Sequence, residues 1–318
     1  MELSSRDKRL ICLLDQNARR PLAEIAKKMR VSKQSVGQRI KKLRADGVIQ
    51  SSYAVINTLA TGRLWVHIWI KLQTVSPKIE QEIVEFSKKQ PMIAWVIPLT
   101  GTYDFVLIYW PKTIGEFKPV FDLFLAKFSP YVKEHNVSMI AIGHDFSHRA
   151  WAPDIDAVES IVQETVMQKL DVKDQKILKI LAQNADYSVP EMGKMTGIDP
   201  KTVYYRIKKL EERKMILNYR VKINYEKIGH AWYKFFLVFA NNTPAKKARL
   251  FAFLRQIPEL IYITEPVGIA DLEFEIVVGS VNRMQEILMQ LRSEFSDMIK
   301  DYDMVEIGKP ALIRYFPD

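Results

Sequence analysis

The feature that most constrains this chain is an internal repeat. Displaced by 167 positions, the sequence aligns with itself. LSSRDKRLICLLDQNA (3–18) falls on LDVKDQKILKILAQNA (170–185), and QRIKKL (38–43) falls on YRIKKL (205–210). Residues 3–63 align without a gap, with 18 identities in 61 positions. The same offset carries on: Trp65 meets Trp232, Pro91 meets Pro258, GTYD (101–104) meets GIAD (268–271), and FSPYVK (128–133) meets FSDMIK (295–300). The fold is therefore one unit of about 150 residues made twice, and any architecture assigned to it must repeat. The joint is residues 152–169, where Val158, Ile161, Val162, Thr165 and Val166 recur at helical spacing, so a short amphipathic connecting helix is expected beside the alternative of an irregular linker.

Within each unit the hydrophobic period changes. Residues 4–46 follow a helical period: Leu10, Leu13 and Leu14 form one stripe, and Leu22, Ile25, Ala26 and Met29 form a second, opened by Pro21. Ser32 is the expected N-cap of a third helix with Val36, Ile40 and Leu43 inward; in the second copy Asp199 caps and Pro200 takes the first helical position. Asp46-Gly47 stops the helix, and VIQSSYAVIN reads as a short hairpin or wing. After Gly62 the order is strand, helix, strand, strand, helix, strand, the βαββαβ ferredoxin-like plan. Its first strand is apolar on both faces, with Val66, Ile68 and Ile70 on one and Trp65 and Trp69 on the other. Helices cover only one face of such a sheet, so the other needs a second sheet, supplied by the other copy or by another chain: an internal pseudo-dimer or a homo-oligomer.

The fold class is thus α+β: a winged helix-turn-helix (1–62), a ferredoxin-like assembly and effector domain (63–151), a helical linker (152–169), a second winged helix-turn-helix (170–229) and a second ferredoxin-like domain (230–318).

Charge separates along the same boundaries. Of 47 basic and 37 acidic side chains, residues 1–62 hold 13 and 5, and residues 170–229 hold 13 and 8. The basic excess therefore lies wholly in the two helical domains, where it suits the phosphate line of duplex DNA. Three short helices with a tight turn before the third form the helix-turn-helix plan, whose last helix enters the major groove. On the third helix of copy one, Lys33, Gln34, Gln38 and Lys41 lie opposite the inward stripe, with Gly37 allowing close approach and Ser35, Arg39 and Lys42 flanking. Gln pairs with adenine edges, and Lys reaches guanine or phosphate. The corresponding set in copy two is Lys201, Thr202, Tyr204, Tyr205, Arg206, Lys208 and Lys209. Gly37 has become Tyr204 and Gln38 has become Tyr205, so the two helices are expected to read different bases.

With these residues in view, each unit resembles the Lrp/AsnC, or feast/famine, regulators. The resemblance rests on Asp7 and Leu10 with Asp174 and Ile177, on V-x-x-R-I-x-x-L (Val36, Arg39, Ile40, Leu43; Val203, Arg206, Ile207, Leu210), on Gly47-Val48-Ile49, on Ile56, Asn57 and Gly62 with Ile223, Asn224 and Gly229, and on G-x-x-D (Gly101, Asp104; Gly268, Asp271). It covers nearly the whole chain, twice. Two departures stand out: the usual chain has one unit, and Lys214 replaces Gly47 in copy two. The resemblance implies a winged helix-turn-helix joined to a RAM-type domain, a cytoplasmic transcription regulator and a small effector such as an amino acid bound between assembly domains near Thr100, Gly101, Tyr103, Asp104, Gly268 and Asp271. Gly and Asp also favour a plain β-turn, which needs no ligand.

The remaining chemistry is sparse. Cys12 is the single cysteine and cannot form an internal disulfide. The polar start and strand-length apolar runs suggest neither a signal peptide nor a membrane span. His144 and His148 have metal-compatible spacing but lack a third ligand, so they read as surface histidines. No metal, cofactor or catalytic set is expected. Copy two carries Lys234, Glu273, Glu275 and Glu306 on its strands, a candidate ion-pair cluster absent from copy one, with a polar effector pocket or an asymmetric docking surface as the sharper alternative. The alternative activity is a tetrapyrrole (siroheme-type) decarboxylase, since some of these enzymes resemble the same architecture; the net acidic assembly domains suit a polycarboxylate substrate poorly.

Overall fold

A computed structural model describes residues 2–317; the outer ends assigned to the first and last domains, 1 and 318, lie outside the described residues. The chain begins with α1 (Ser5–Gln16), α2 (Leu22–Met29) and α3 (Lys33–Ala45). Ser32 caps α3, its side chain accepting from the Ser35 amide, and Val36 and Leu43 are buried against α1 and α2. A strand, β1 (Ile49–Ile56), follows. The first βαββαβ unit is β2 (Trp65–Leu72), α4 (Pro77–Lys88), β3 (Ile93–Gly101), β4 (Phe105–Tyr109), α5 (Ile114–Phe128) and β5 (Val132–Phe146). After β6 (Glu159–Gln163) the plan repeats with α6 (Val172–Gln183), α7 (Val189–Thr196), α8 (Pro200–Glu212) and β7 (Ile216–Ile223). Asp199 caps α8, accepting from the amides of Lys201 and Thr202. The second βαββαβ unit is β8 (Ala231–Phe239), α9 (Pro244–Gln256), β9 (Leu260–Val267), β10 (Leu272–Val278), α10 (Val281–Glu294) and β11 (Ile299–Ile307), followed by β12 (Leu312–Ile313).

The two ferredoxin-like sheets have strand orders β5-β2-β4-β3 and β11-β8-β10-β9. They join at both edges, β5 to β9 and β3 to β11, so eight strands close into one barrel inside a single chain. The alternatives for covering the bare sheet face thus resolve to the internal pair. Closure leaves neither sheet edge unpaired. Helices α4 and α5 pack outside on the first sheet and α9 and α10 on the second, each pair over its own apolar core. The inward faces meet in a third core that includes Trp69, Ile97, Val106, Phe236 and Val305.

Two expectations change. The stretch after α3 is not a hairpin wing. β1 pairs antiparallel with β7 of the other copy, and Tyr53 pairs with its own counterpart, Arg220. That puts a pseudo-twofold axis through this pair. Hydrogen bonds repeat across it: the Asn57 amide donates to Met215 O and the Asn224 amide to Val48 O, while the Ala18 and Ala185 amides donate to Tyr219 O and Ser52 O. Nor is the joint a helix. Within 152–169 the regular element is β6, which pairs with β5 from Ile142↔Gln163 to Phe146↔Glu159. Ser160 and Val162 are buried and Ile161 is exposed, so a period of two won over the helical spacing, because the outer half of β5 offered an unpaired ladder. The copies also diverge at their last strand. β5 is continuous, whereas β11 and β12 are separate, with Pro310 between them, where an amide for the ladder is missing.

Candidate nucleic-acid interface

Both third helices present their polar faces to solvent. On α3, Lys33, Gln34, Gln38, Lys41 and Lys42 are exposed; on α8, Lys201, Tyr204, Tyr205, Lys208 and Lys209 are. Ser35 and Thr202 sit half-buried in the first turns, where the capping side chains of Ser32 and Asp199 accept from their amides. Tyr204 and Tyr205 are 49% and 60% exposed and touch edge to face at 5.7 Å, an aromatic pair left uncovered on a basic helix. Lys42 is paired with Asp46, and Lys208 with Glu211, along their own helices.

The structure does not bring Arg39 and Arg206 to that face. Arg39 Nη1 lies 2.6 Å from Asp7 on α1, and Arg206 Nη1 lies 2.7 Å from both Asp171 and Asp174 at the start of α6. Asp7 and Asp174 are equivalent, so this pair clips the third helix to the first in each copy. The same left-handed turns are filled by different residues in the two copies. After α3, Gly47 takes φ +69°; its counterpart Lys214 takes φ +58°. After α2 the roles reverse, with Arg30 at φ +54° and Gly197 at +70°.

The G-x-x-D residues build the barrel seams and turns. Gly101 and Gly268 take φ of +133° and +155°. A Cβ on Gly101 would stand 2.9 Å from Met304 O, and one on Gly268 2.5 Å from Val137 O, so a side chain would force β3 from β11 and β9 from β5. Asp104 accepts from the Leu72 amide at 2.7 Å and pairs with Lys71; Asp271 accepts from the Phe239 amide at 2.7 Å. Tyr103 is buried in the inner core, its hydroxyl taking a hydrogen bond from Asn136, and Thr100 is exposed beside it.

Behind the interface lies a buried polar centre that sequence reasoning found only in part. Lys234 Nζ is 2.6 Å from Glu273 and 3.0 Å from Glu275, wholly inside the barrel. Burial opposes its charge, but the two carboxylates hold its pKa above the ordinary lysine value. Glu306 does not join this cluster; it is exposed, because β11 turns Val305 inward instead. The second ionic group was missed. Arg220, on the pseudo-twofold axis, pairs with Asp15 at 2.6 Å and with Asp145. Asp15 also accepts from the amides of His148 and Val221. Burial alone would raise the Asp15 pKa, but Arg220 holds it below the usual carboxylate value. Burial pushes Asp145 up to about 6 and His148 down to about 4. The available signal was an arginine inside the apolar strand LNYRVKI, where copy one has Tyr53. The two histidines are not on the surface. His144 is held between Glu159 (2.8 Å) and Glu265 (3.2 Å), and His148 meets the Tyr225 hydroxyl at 2.5 Å. Among the described residues no cluster of three or more His, Cys, Asp or Glu is placed to hold a metal, and no helix is long and apolar enough to cross a membrane.

Comparison with known proteins gives a consistent pattern. Residues 170–211 match the AsnC-type helix-turn-helix domain, and residues 3–50 match a winged helix-turn-helix DNA-binding domain. The chain is 31% identical over 137 residues to the HTH-type transcriptional regulator FL11 of Pyrococcus horikoshii, covering 84% of that protein and 43% of this one. It is 40% identical over 62 residues to an uncharacterised HTH-type transcriptional regulator of Pyrococcus furiosus, which is 20% of this chain and only 42% of the relative's length. The whole chain also superposes on the crystal structure of the siroheme decarboxylase NirDL, with TM-score 0.62, 12% identity and coverage of 99% and 94%. At that identity the likeness is one of fold: the same two-unit architecture.

Proposed function

Because this chain belongs to the Lrp/AsnC family of helix-turn-helix transcription regulators, in a tandem duplicated form, we propose that it is a cytoplasmic regulator that binds double-stranded DNA at two unequal half-sites. The observation that carries this reading is the pair of exposed, basic third helices, α3 and α8, related by one pseudo-twofold axis and bearing different outward residues. Lys33, Lys41, Lys42, Lys201, Lys208 and Lys209 supply phosphate contacts, with Ser35 and Thr202 at the helix starts. Gln34 and Gln38 suit adenine edges, and Tyr204 and Tyr205 suit thymine methyl groups. Arg39 and Arg206 act by holding the reading helices in place.

The barrel fixes the spacing of the two helices, as an ordinary dimer interface would. The effector positions are carried over by resemblance. In this chain Asp104 and Asp271 already accept backbone amides, so their first role is to hold turns and seams, and a ligand there would rely on Thr100 and the exposed backbone of Gly101 and Gly268. The decarboxylase reading draws on the whole-length fold likeness. Against it, the cavity inside the barrel measures about 110 Å³ and is faced by more carboxylates than cations, a poor host for a large polycarboxylate. A tetrapyrrole titration with no shift in its visible absorption band would remove it.

The regulator reading is tested by fluorescence anisotropy on duplex DNA against salt. Lys41→Ala should weaken binding on all sequences and reduce the magnitude of the salt slope by about one. A shallow slope that Lys41→Ala leaves unchanged would overturn the assignment.

A further inference from the structure

The two copies differ in what stands between the β1–β7 ribbon and the barrel. In copy one that space is filled by β6, which lies on the outer half of β5. Val162 packs there against Tyr53, Val55 and Leu59, with Trp65 and Leu217 beside it, and the Gln163 amide donates to Asn57 Oδ1 at 3.2 Å. Displaced by 167 positions, the same place in copy two falls between β7 and the segment that joins β11 to β12. β12 pairs with β3 alone, and among the described residues no strand takes the part of β6. An open cleft of about 470 Å³ lies there instead. Small-molecule sites span about 300–1,000 Å³, so this one is of useful size.

The wall of the cleft has changed along with its contents. Lys222 stands for Val55, Glu226 for Leu59 and Gln50 for Leu217, while Trp232 repeats Trp65. Asn224, the counterpart of Asn57, accepts from the Lys227 amide rather than from a strand. Arg220 and Lys222 share one face of β7, since Val221 and Ile223 enter the helical core on the other. Arg220 is neutralised by Asp15 and Asp145. Lys222 is half-buried, and its ammonium has no partner among the described residues. Burial, with no carboxylate to oppose it, pulls its pKa below the ordinary lysine value. A half-buried charge without a counter-ion is costly, so this lysine calls for an anion. Glu226, Glu306 and Lys309 stand exposed at the mouth, where water and salt screen them. Trp95 and Trp232, also in the wall, already use their indole N–H groups on Arg314 O and Glu275, so they offer the cleft ring surface.

We propose that this cleft binds a small planar organic carboxylate, with its charge on Lys222 and its ring against Trp232, in the place that β6 fills in copy one. A peptide strand is the poorer fit. Pro310 stands where copy one has Gly143, the residue opposite Val162, and it has no amide for an added strand. The bound acid ties the ribbon to the barrel on the second side as β6 does on the first, so binding should raise the melting temperature. The site does not depend on the DNA-binding reading.

The test uses the full chain without DNA and three probes, 2-naphthoate, its neutral amide and acetate, titrated by calorimetry. 2-Naphthoate should bind at least ten-fold more tightly than either, because the amide lacks the charge and acetate lacks the ring. Lys222→Met should reduce 2-naphthoate to the affinity of the amide, leaving the amide's own affinity and the far-UV circular dichroism unchanged. Should that variant misfold, Lys222→Gln makes the same comparison. No binding of 2-naphthoate at millimolar concentration, equal binding of the amide, or tight binding that the lysine variants leave unaltered overturns the proposal. A synthetic peptide of residues 157–165, AVESIVQET, is titrated alongside. If it binds and 2-naphthoate does not, the cleft is a strand seat and the small-molecule site is overturned.

Discussion

The two copies share a backbone and differ where they meet. On the pseudo-twofold axis Tyr53 faces Arg220, and Asp15, Asp145 and His148, which gather round that arginine, have Ala182, Leu312 and Tyr315 as counterparts. In the barrel, Lys234, Glu273 and Glu275 of copy two stand where copy one has His67, Val106 and Ile108. A symmetric dimer of one unit would set each residue against its own image on the axis: arginine against arginine, or tyrosine against tyrosine. Joining two copies removes that restriction. One ionic group can then serve the centre once, and the two reading helices can diverge without losing their common scaffold.

The comparison breaks most visibly at the axis. Arg220→Met strands two buried carboxylates and should cost about 3–5 kcal/mol by chemical denaturation. Tyr53→Phe at the equivalent position removes only a hydroxyl, and a similar loss there would contradict the asymmetry. The seams come next. Gly268→Ala drives a Cβ against Val137 O and should cost about 1–3 kcal/mol, more than Gly101→Ala, whose clash with Met304 O is milder. On DNA, Gln38→Ala should alter base preference at one half-site and Tyr205→Ala at the other, each by about 1–3 kcal/mol in competition binding.

The pH response sharpens the same centre. Asp145 is raised from 3.8 to about 6, so its contribution to stability is present at low pH and is lost as the pH climbs through that interval. His148 is lowered from 6.5 to about 4, so its contribution is present above that interval and lost as the pH falls through it. The two slopes oppose each other. Asp145→Asn leaves the histidine unopposed, and stability should then rise more steeply between pH 4 and 6.5 than in the parent. Smallest is the exchanged turn chemistry: Arg30→Gly and Lys214→Gly each relieve a left-handed residue and should stabilise by about 1 kcal/mol in thermal melts.

Much of this architecture was legible because the repeat checks itself. The caps Ser32 and Asp199, the inward residues Val36 and Leu43, and the βαββαβ order are local signals that occur twice. What stayed hidden depends on the other copy. β1 looked like a hairpin arm because its partner, β7, lies 160 residues or more away in sequence, and residues 159–163 took strand form because β5 offered them a ladder. Lys234, Glu273 and Glu275 were noticed as charges on strands, but only barrel closure shows that they are enclosed. His144 and His148 looked superficial because nothing local announces Glu265 or Tyr225. The outward residues of α3 and α8 were readable from helical spacing; that Arg39 and Arg206 are turned to Asp7 and Asp174 required the packing of the third helix on the first.

The claim that one scaffold carries two unequal reading heads is tested most directly by selecting bound duplexes from a random DNA pool with the full chain. The expected result is an enriched site of two different half-sequences at fixed separation, one of which loses its enrichment in Gln38→Ala and the other in Tyr205→Ala. A perfect palindrome with half-sites of equal strength, or a pool that shows no enrichment, would contradict it.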